Sequence, residues 1–180
     1  MPDLSQAPIG ILACPGGRVF AQMVFGHLEA ITQDKFDDRI RTLSQAYGLP
    51  RAEIIRQVNL ASDLQPAAVE GVEPIGEYRS PNWMVPARFT RFPNGEFKTE
   101  ILATVRNLDV YVFQDVENHY PIALNRGDAE RVSLSVNDHV FCLLTTIDAA
   151  LQAGAKTVTA VLPTYPYSRQ HKKKTREGLT

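Results

Sequence analysis

Val158-Thr159-Ala160-Val161-Leu162-Pro163-Thr164-Tyr165-Pro166-Tyr167-Ser168-Arg169-Gln170-His171-Lys172-Lys173-Lys174-Thr175-Arg176 runs from a β-branched apolar segment, through a Pro/Tyr turn, into a dense basic stretch. That order is expected where a buried parallel strand delivers a ligand loop at its carboxyl end. Five of the chain's nineteen Lys and Arg lie between Arg169 and Arg176, which concentrates the local positive field at one strand end.

Working back from that strand, Val140, Phe141, Leu143, Leu144, Ile147, Ala150 and Leu151 carry helical spacing, with Ser135 or Asn137 as N-cap and Gly154 as the stop. Residues 109–114 read as a strand. Strand, helix and residues 157–162 then form a βαβ crossover, so the sheet is mostly parallel. Residues 9–13 are a further short apolar run, closed by Pro15-Gly16-Gly17. The helix after it would turn Val19, Met23, Val24, His27, Leu28 and Ile31 to one side. Neither a G-x-x-x-x-G-K-[ST] nor a full G-x-G-x-x-G pattern is present, so Gly16-Gly17 reads as a plain strand-to-helix turn.

Between these parts the pattern is mixed. Phe36, Ile40, Leu43 and Tyr47 continue helical spacing from residue 33 up to Gly48-Leu49-Pro50, and a second helix is expected over 51–62 with Ile54, Ile55 and Val58 inward. Residues 69–81, with Pro74, Gly76 and Pro81, read as loop. Phe97, Thr99 and Ile101 alternate with Lys98 and Glu100 after the Pro93-Asn94-Gly95 turn, which predicts a β-hairpin with Asn94 and Glu96 at its tip.

Composition bounds the function. With 180 residues and 44% apolar content the chain supports one α/β domain, and a net charge of minus one argues against general attraction to nucleic acid or membrane. A nucleic-acid binder would also need stacking aromatics beyond Tyr165 and Tyr167. Two cysteines, Cys14 and Cys142, are too few for a disulfide framework, and the first ten residues have no signal-peptide pattern, which fits a reducing cytoplasm. The most apolar stretch, 140–162, is interrupted by Asp148, Gln152 and Lys156 and falls short of a membrane span. Asp115, Glu117 and His119 alternate as metal ligands sometimes do, but acidic loops with one histidine are commonly just hydrated; no metal site is assigned.

Three blocks, in order, carry a family resemblance. Leu162-Pro163-Thr164-Tyr165-Pro166-Tyr167-Ser168-Arg169-Gln170, its basic run and Arg176-Glu177-Gly178-Leu179-Thr180 resemble the ATP segment of ribose-phosphate pyrophosphokinases. Phe92-Pro93-Asn94-Gly95-Glu96 is similar to that family's adenine-contacting loop, and Val136-Asn137-Asp138-His139 to the start of the helix before the ATP segment. The resemblance implies a phosphoribosyltransferase-like, Rossmann-like fold: a mostly parallel sheet flanked by helices, with a β-hairpin. Relative to the family pattern, residues from about 33 to 81 are a helical insertion. His171 stands where the commoner pattern has Asp, Asn94 also replaces Asp, and the basic spacer is one residue shorter.

The resemblance further implies transfer of the β,γ-diphosphoryl group of ATP to the C1 hydroxyl of ribose 5-phosphate, with Mg²⁺, in a homo-oligomer. The ATP-binding residues it assigns are Arg169, Gln170, His171, Lys172, Phe92, Asn94 and Glu96. Arg supplies a planar fork for phosphate oxygens and Lys a point charge. The family's metal-binding histidine, catalytic loop and ribose-phosphate loop belong to a second domain, and none of those motifs occurs here. The expectation is therefore a single amino-terminal domain over 1–180, without catalytic residues or Mg²⁺ ligands of its own and inactive alone. The alternative is a non-catalytic regulatory subunit of the same fold.

Overall fold

The computed structural model describes residues 8–57 and 83–168. In chain order the elements are strand β1 (Ile9–Ala13), a 3-10 turn (Pro15–Gly17), helices α1 (Arg18–Tyr47) and α2 (Arg51–Gln57), and strands β2 (Ala87–Arg91), β3 (Phe97–Ile101) and β4 (Asp109–Phe113). Helix α3 (Val136–Gln152) and strand β5 (Thr157–Val161) complete them. The expected loop at 69–81, the inward Val58 and the basic run from Arg169 lie outside the described residues.

β1, β4 and β5 form a parallel sheet in the order β1-β4-β5, in register from Ile9 opposite Asp109 and Asp109 opposite Thr157. Residues 83–85 extend it beyond β1, since the Ile11 amide donates to Trp83 O at 2.7 Å and the Val85 amide to Ile11 O at 2.8 Å. Side chains on a strand alternate between faces. Leu12, Val110 and Val112 join Cys142, Leu143 and Ala150 of α3 in one core, while Ile11, Tyr111 and Phe113 meet Phe20, Ala21, Val24 and Leu28 of α1 in another. The protein is thus an α/β domain with helices on both sheet faces, as the pattern predicts.

β2 and β3 pair antiparallel, with Phe89 opposite Thr99. Phe97 is buried, Thr99 and Ile101 are half-buried, and Lys98 and Glu100 pair at 2.9 Å on the outer side. Gly95 sits at φ +91 in the tip, a left-handed conformation in which other residues are strained.

Ser135 is the cap of α3. Its hydroxyl oxygen accepts from the Asp138 amide at 3.1 Å, and Asp138 Oδ2 accepts from the Ser135 amide and hydroxyl, each at 2.9 Å. Two end groups are satisfied reciprocally.

Several expectations change. β5 is not buried: Thr157, Thr159 and Ala160 are exposed, because among the described residues β5 pairs only with β4 and is the edge of the sheet. Residues 18–47 form one continuous helix about 45 Å long. On it Val19, Met23, His27 and Ile31 point outward, and the sheet-facing side is Phe20, Ala21, Val24, Phe25 and Leu28. Phe36 and Ile40 pack with Ile54 in a small separate cluster, while Tyr47 is exposed. On α3, Phe141, Leu144 and Leu151 face outward; His139 and Thr146 are buried instead.

Candidate functional site

The carboxyl ends of β1, β4 and β5 and the first turn of α3 meet at one end of the sheet. Here Gly16 and Gly17 press directly on β4: a Cβ at Gly17 would lie 2.3 Å from Phe113 O, and one at Gly16 would lie 2.8 Å from each of Asp115 O, Gln114 Oε1 and His139 Cε1. This close approach accounts for the glycine pair as a packing turn.

A buried polar group lies beneath it. Gln114 and His139 are fully buried; Gln114 Nε2 donates to His139 O at 3.0 Å, and His139 Nε2 contacts Asn118 O at 2.8 Å. Asn118 Nδ2 reaches Gly16 O at 3.4 Å, and Asn118 Oδ1 accepts from the Tyr120 amide at 3.1 Å. Three chain segments are thereby tied together. Nothing in the apolar periodicity of α3 signalled this role for His139.

Residues 162–168 leave β5 and are pinned at two points. Thr164 Oγ1 donates to Asp115 Oδ1 at 3.1 Å, and the Tyr167 hydroxyl donates to Asn137 Oδ1 in the first turn of α3. Tyr167 itself adopts φ 57, and Ser168 Oγ donates to Tyr165 O at 2.7 Å. Arg169, Gln170, His171 and Lys172 follow Ser168 directly in sequence and lie outside the described residues.

The other predicted residues sit on the hairpin tip. Phe92 is 41% exposed, and Asn94 and Glu96 are exposed. Asn94 Oδ1 accepts from the Glu96 amide at 3.2 Å, and the Phe92 amide donates to Glu96 O at 2.8 Å, which closes the tip on itself. Asn94 therefore spends its carbonyl on the turn. Next to Phe92, Arg91 pairs with Asp138 at 3.5 Å. The hairpin thus connects through Arg91 to Asp138, and residues 162–168 connect through Tyr167 to the adjacent Asn137 of α3.

Asp138 is the charged centre of this junction. Burial pushes its carboxyl up, but the Ser135 amide and hydroxyl and the Arg91 guanidinium outweigh that and hold it below the usual carboxylate range. Arg18 opens α1. Burial first, and then Arg126, lower its pKa, and it donates to Ala123 O at 2.7 Å and to Leu124 O. Asp115, Glu117 and His119 are engaged locally: Asp115 Oδ1 accepts from the Glu117 amide at 3.1 Å, and His119 stacks on Tyr120. Among the described residues no cluster of three or more His, Cys, Asp or Glu is arranged to hold a metal ion.

Residues 80–180 match the family model for the N-terminal domain of ribose phosphate pyrophosphokinase, and the chain belongs to that family. Among curated proteins it is 40% identical over 81 residues to ribose-phosphate pyrophosphokinase 5 of Schizosaccharomyces pombe, covering 45% of this chain and 19% of that protein. It is also 34% identical over 92 residues to the ribose-phosphate pyrophosphokinase of Bacillus subtilis, covering 51% of this chain and 24% of that one. The chain thus matches about a fifth to a quarter of the length of these relatives. Phosphoribosylpyrophosphate synthetase from Mycobacterium smegmatis superposes with a TM-score of 0.47 at 20% identity, over 96% of this chain and 35% of that one.

Proposed function

We propose that this chain is the nucleotide-side domain of a ribose-phosphate pyrophosphokinase. The observation that carries the reading is the junction at the first turn of α3, where Arg91 and Tyr167 bring the hairpin tip and the β5 loop to neighbouring residues, Asp138 and Asn137. The tip and the loop are thereby held in a fixed relation within one domain, and in the oligomer that the resemblance implies the tip is presented to a neighbouring subunit's adenine site.

In the proposed reaction the C1 hydroxyl oxygen of ribose 5-phosphate attacks the β-phosphorus of ATP. The bond from that phosphorus to the α,β-bridging oxygen breaks, the hydroxyl proton is released, and phosphoribosyl diphosphate and AMP result. Such chemistry depends on positioning and on neutralising phosphate charge, with little covalent work for the protein. Arg169 and Lys172 hold phosphate oxygens, Gln170 and His171 offer further donors, and Phe92, Asn94 and Glu96 face the base. Mg²⁺ bound with the nucleotide would add charge neutralisation; among the described residues no cluster of three or more His, Cys, Asp or Glu is arranged to hold it.

Homo-oligomeric assembly and a cytoplasmic setting belong to the same proposal. The first is supported by the outward Phe141, Leu144 and Leu151 of α3 and by the exposure of Phe92. The second is supported by the free, buried Cys14 and Cys142 thiols. The Cys142 thiol is pushed up by its contact with Cys14 and by burial, which keeps it unreactive. No helix among the described residues is long and apolar enough to cross a membrane.

Steady-state kinetics on the full-length protein test the reading. Losing one charge-assisted hydrogen bond costs about 1.5 to 3 kcal/mol, so Arg169→Ala is expected to raise the KM for ATP roughly ten- to a hundredfold or more. The response to ribose 5-phosphate stays close to wild type. An unchanged response to ATP removes Arg169 from the site.

A further inference from the structure

The connection from β4 to α3 spans residues 114–135 and folds back on itself through a bridge between Ile122 and Val132. Ile122, Leu124 and Val132 pack against the main core, so the loop has a fixed base. Its end is also fixed. Arg18 holds Ala123 O and Leu124 O from the start of α1, and Asp128 Oδ2 accepts from Asn125 N at 2.9 Å and from Asn125 Nδ2 at 3.0 Å.

The side chain so held is turned toward the hairpin. Asn125 Oδ1 accepts from the Phe89 amide at 2.8 Å, and Asn125 Nδ2 donates to Phe89 O at 3.1 Å. One carboxamide thus completes both backbone groups of Phe89 along the edge of β2 that faces away from β3, acting as a one-residue strand. Phe89 is itself buried and stands three positions before Phe92, roughly 10 Å along the strand.

A two-stranded hairpin is marginal unless it packs on something else. β3 has its own tether, since Thr99 Oγ1 lies 3.2 Å from Thr145 Oγ1 and 3.0 Å from Thr146 Oγ1 on α3. On β2, Arg91 adds the 3.5 Å ion pair to Asp138, and both of its partners are partly open to solvent. The Asn125 pair is therefore the closer-range hold on β2.

We propose that Asn125 is a positioning residue for the Phe92–Glu96 tip, and that the 114–135 connection sets how tightly the protein holds the base of an adenine nucleotide. This rests on the nucleotide reading above. Asn125 acts through the hairpin and touches no substrate.

The test compares full-length wild-type protein with Asn125→Ala in three measurements: amide exchange over 86–101 and over α3, calorimetric binding of ATP, and calorimetric binding of inorganic tripolyphosphate. With both hydrogen bonds to Phe89 lost, along with the Nδ2 contact to Asp128, hairpin exchange is expected to rise about tenfold and ATP affinity to fall about tenfold. Exchange in α3 and affinity for tripolyphosphate, which has no base, stay within about twofold of wild type. Unchanged hairpin exchange overturns the proposal. So does an equal rise in α3, or an equal loss of affinity for both ligands, because either outcome makes the effect general destabilisation. If wild-type protein binds ATP no better than tripolyphosphate, the base-reading role of the tip falls; the exchange comparison alone then decides whether Asn125 positions the hairpin.

Discussion

A methyl group on Gly17 has nowhere to go. Its Cβ would sit 2.3 Å from Phe113 O and 2.5 Å from Phe113 C, both backbone atoms of β4 that cannot swing aside. Forcing extra atoms into such a contact costs about 1 to 3 kcal/mol. Gly17→Ala is therefore expected to lower unfolding free energy by that amount in urea titration. Gly26→Ala is the control: Gly26 is exposed within α1 with nothing within 4 Å of the added carbon, so alanine there is expected to be neutral or to stabilise by up to about 1 kcal/mol. Equal effects at the two positions would disprove the packing account of the turn. The glycine pair was legible in sequence as a turn, but its cause was not, because the opposing atoms come from a strand almost a hundred residues later. Gln114 and His139 were hidden for a related reason. A buried polar pair leaves no trace in hydrophobic periodicity, and its partners are backbone carbonyls that every residue carries.

Helix α3 shows where pattern reading succeeds and where it slips. Its start, stop and crossover to β5 follow from Ser135, Gly154 and the apolar content between them, and the structure has all three. The inward face differs, because α3 carries more apolar residues than one face can bury: Cys142, Leu143 and Ala150 go inward while Phe141, Leu144 and Leu151 do not. β5 misleads in the same way. Its β-branched composition suits a strand, but burial depends on neighbours that composition does not reveal. The capping box of α3 carries a pH prediction. Hydrogen bonds from Ser135 and the charge of Arg91 hold the Asp138 carboxyl below its ordinary value. A carboxylate lowered in the folded state contributes stability at pH above its unfolded pKa, about 3.9, and that contribution is lost as pH falls through the lower folded value. Asp138→Asn is expected to cost about 0.3 to 1 kcal/mol near neutral pH. The gap to wild type then narrows below about pH 4. Thermal or urea unfolding across pH 2 to 7 measures this, and a gap that stays constant with pH would show that the charge plays no part.

For the molecule as a whole, family membership and the parallel sheet agree with what three ordered sequence blocks implied, while the packing of Phe36 and Ile40 of α1 on Ile54 of α2 follows from neither. The matched segments amount to 19% and 24% of the two relatives' lengths, so a two-substrate reaction is not assigned to these 180 residues alone. Holding two substrates in line supplies on the order of 7 to 11 kcal/mol of a barrier, and a chain that grips one of them forgoes that contribution. Among the described residues the hairpin and the β5 loop meet α3 at Asp138 and Asn137, and no cluster is arranged to hold a metal ion. The 180-residue polypeptide is therefore expected to release no AMP in the presence of Mg²⁺, ATP and ribose 5-phosphate. A full-length protein of the family run beside it supplies the positive control. Ribose 5-phosphate-dependent turnover by the purified polypeptide would mean that these residues assemble both substrate sites, and the nucleotide-side assignment would have to be abandoned.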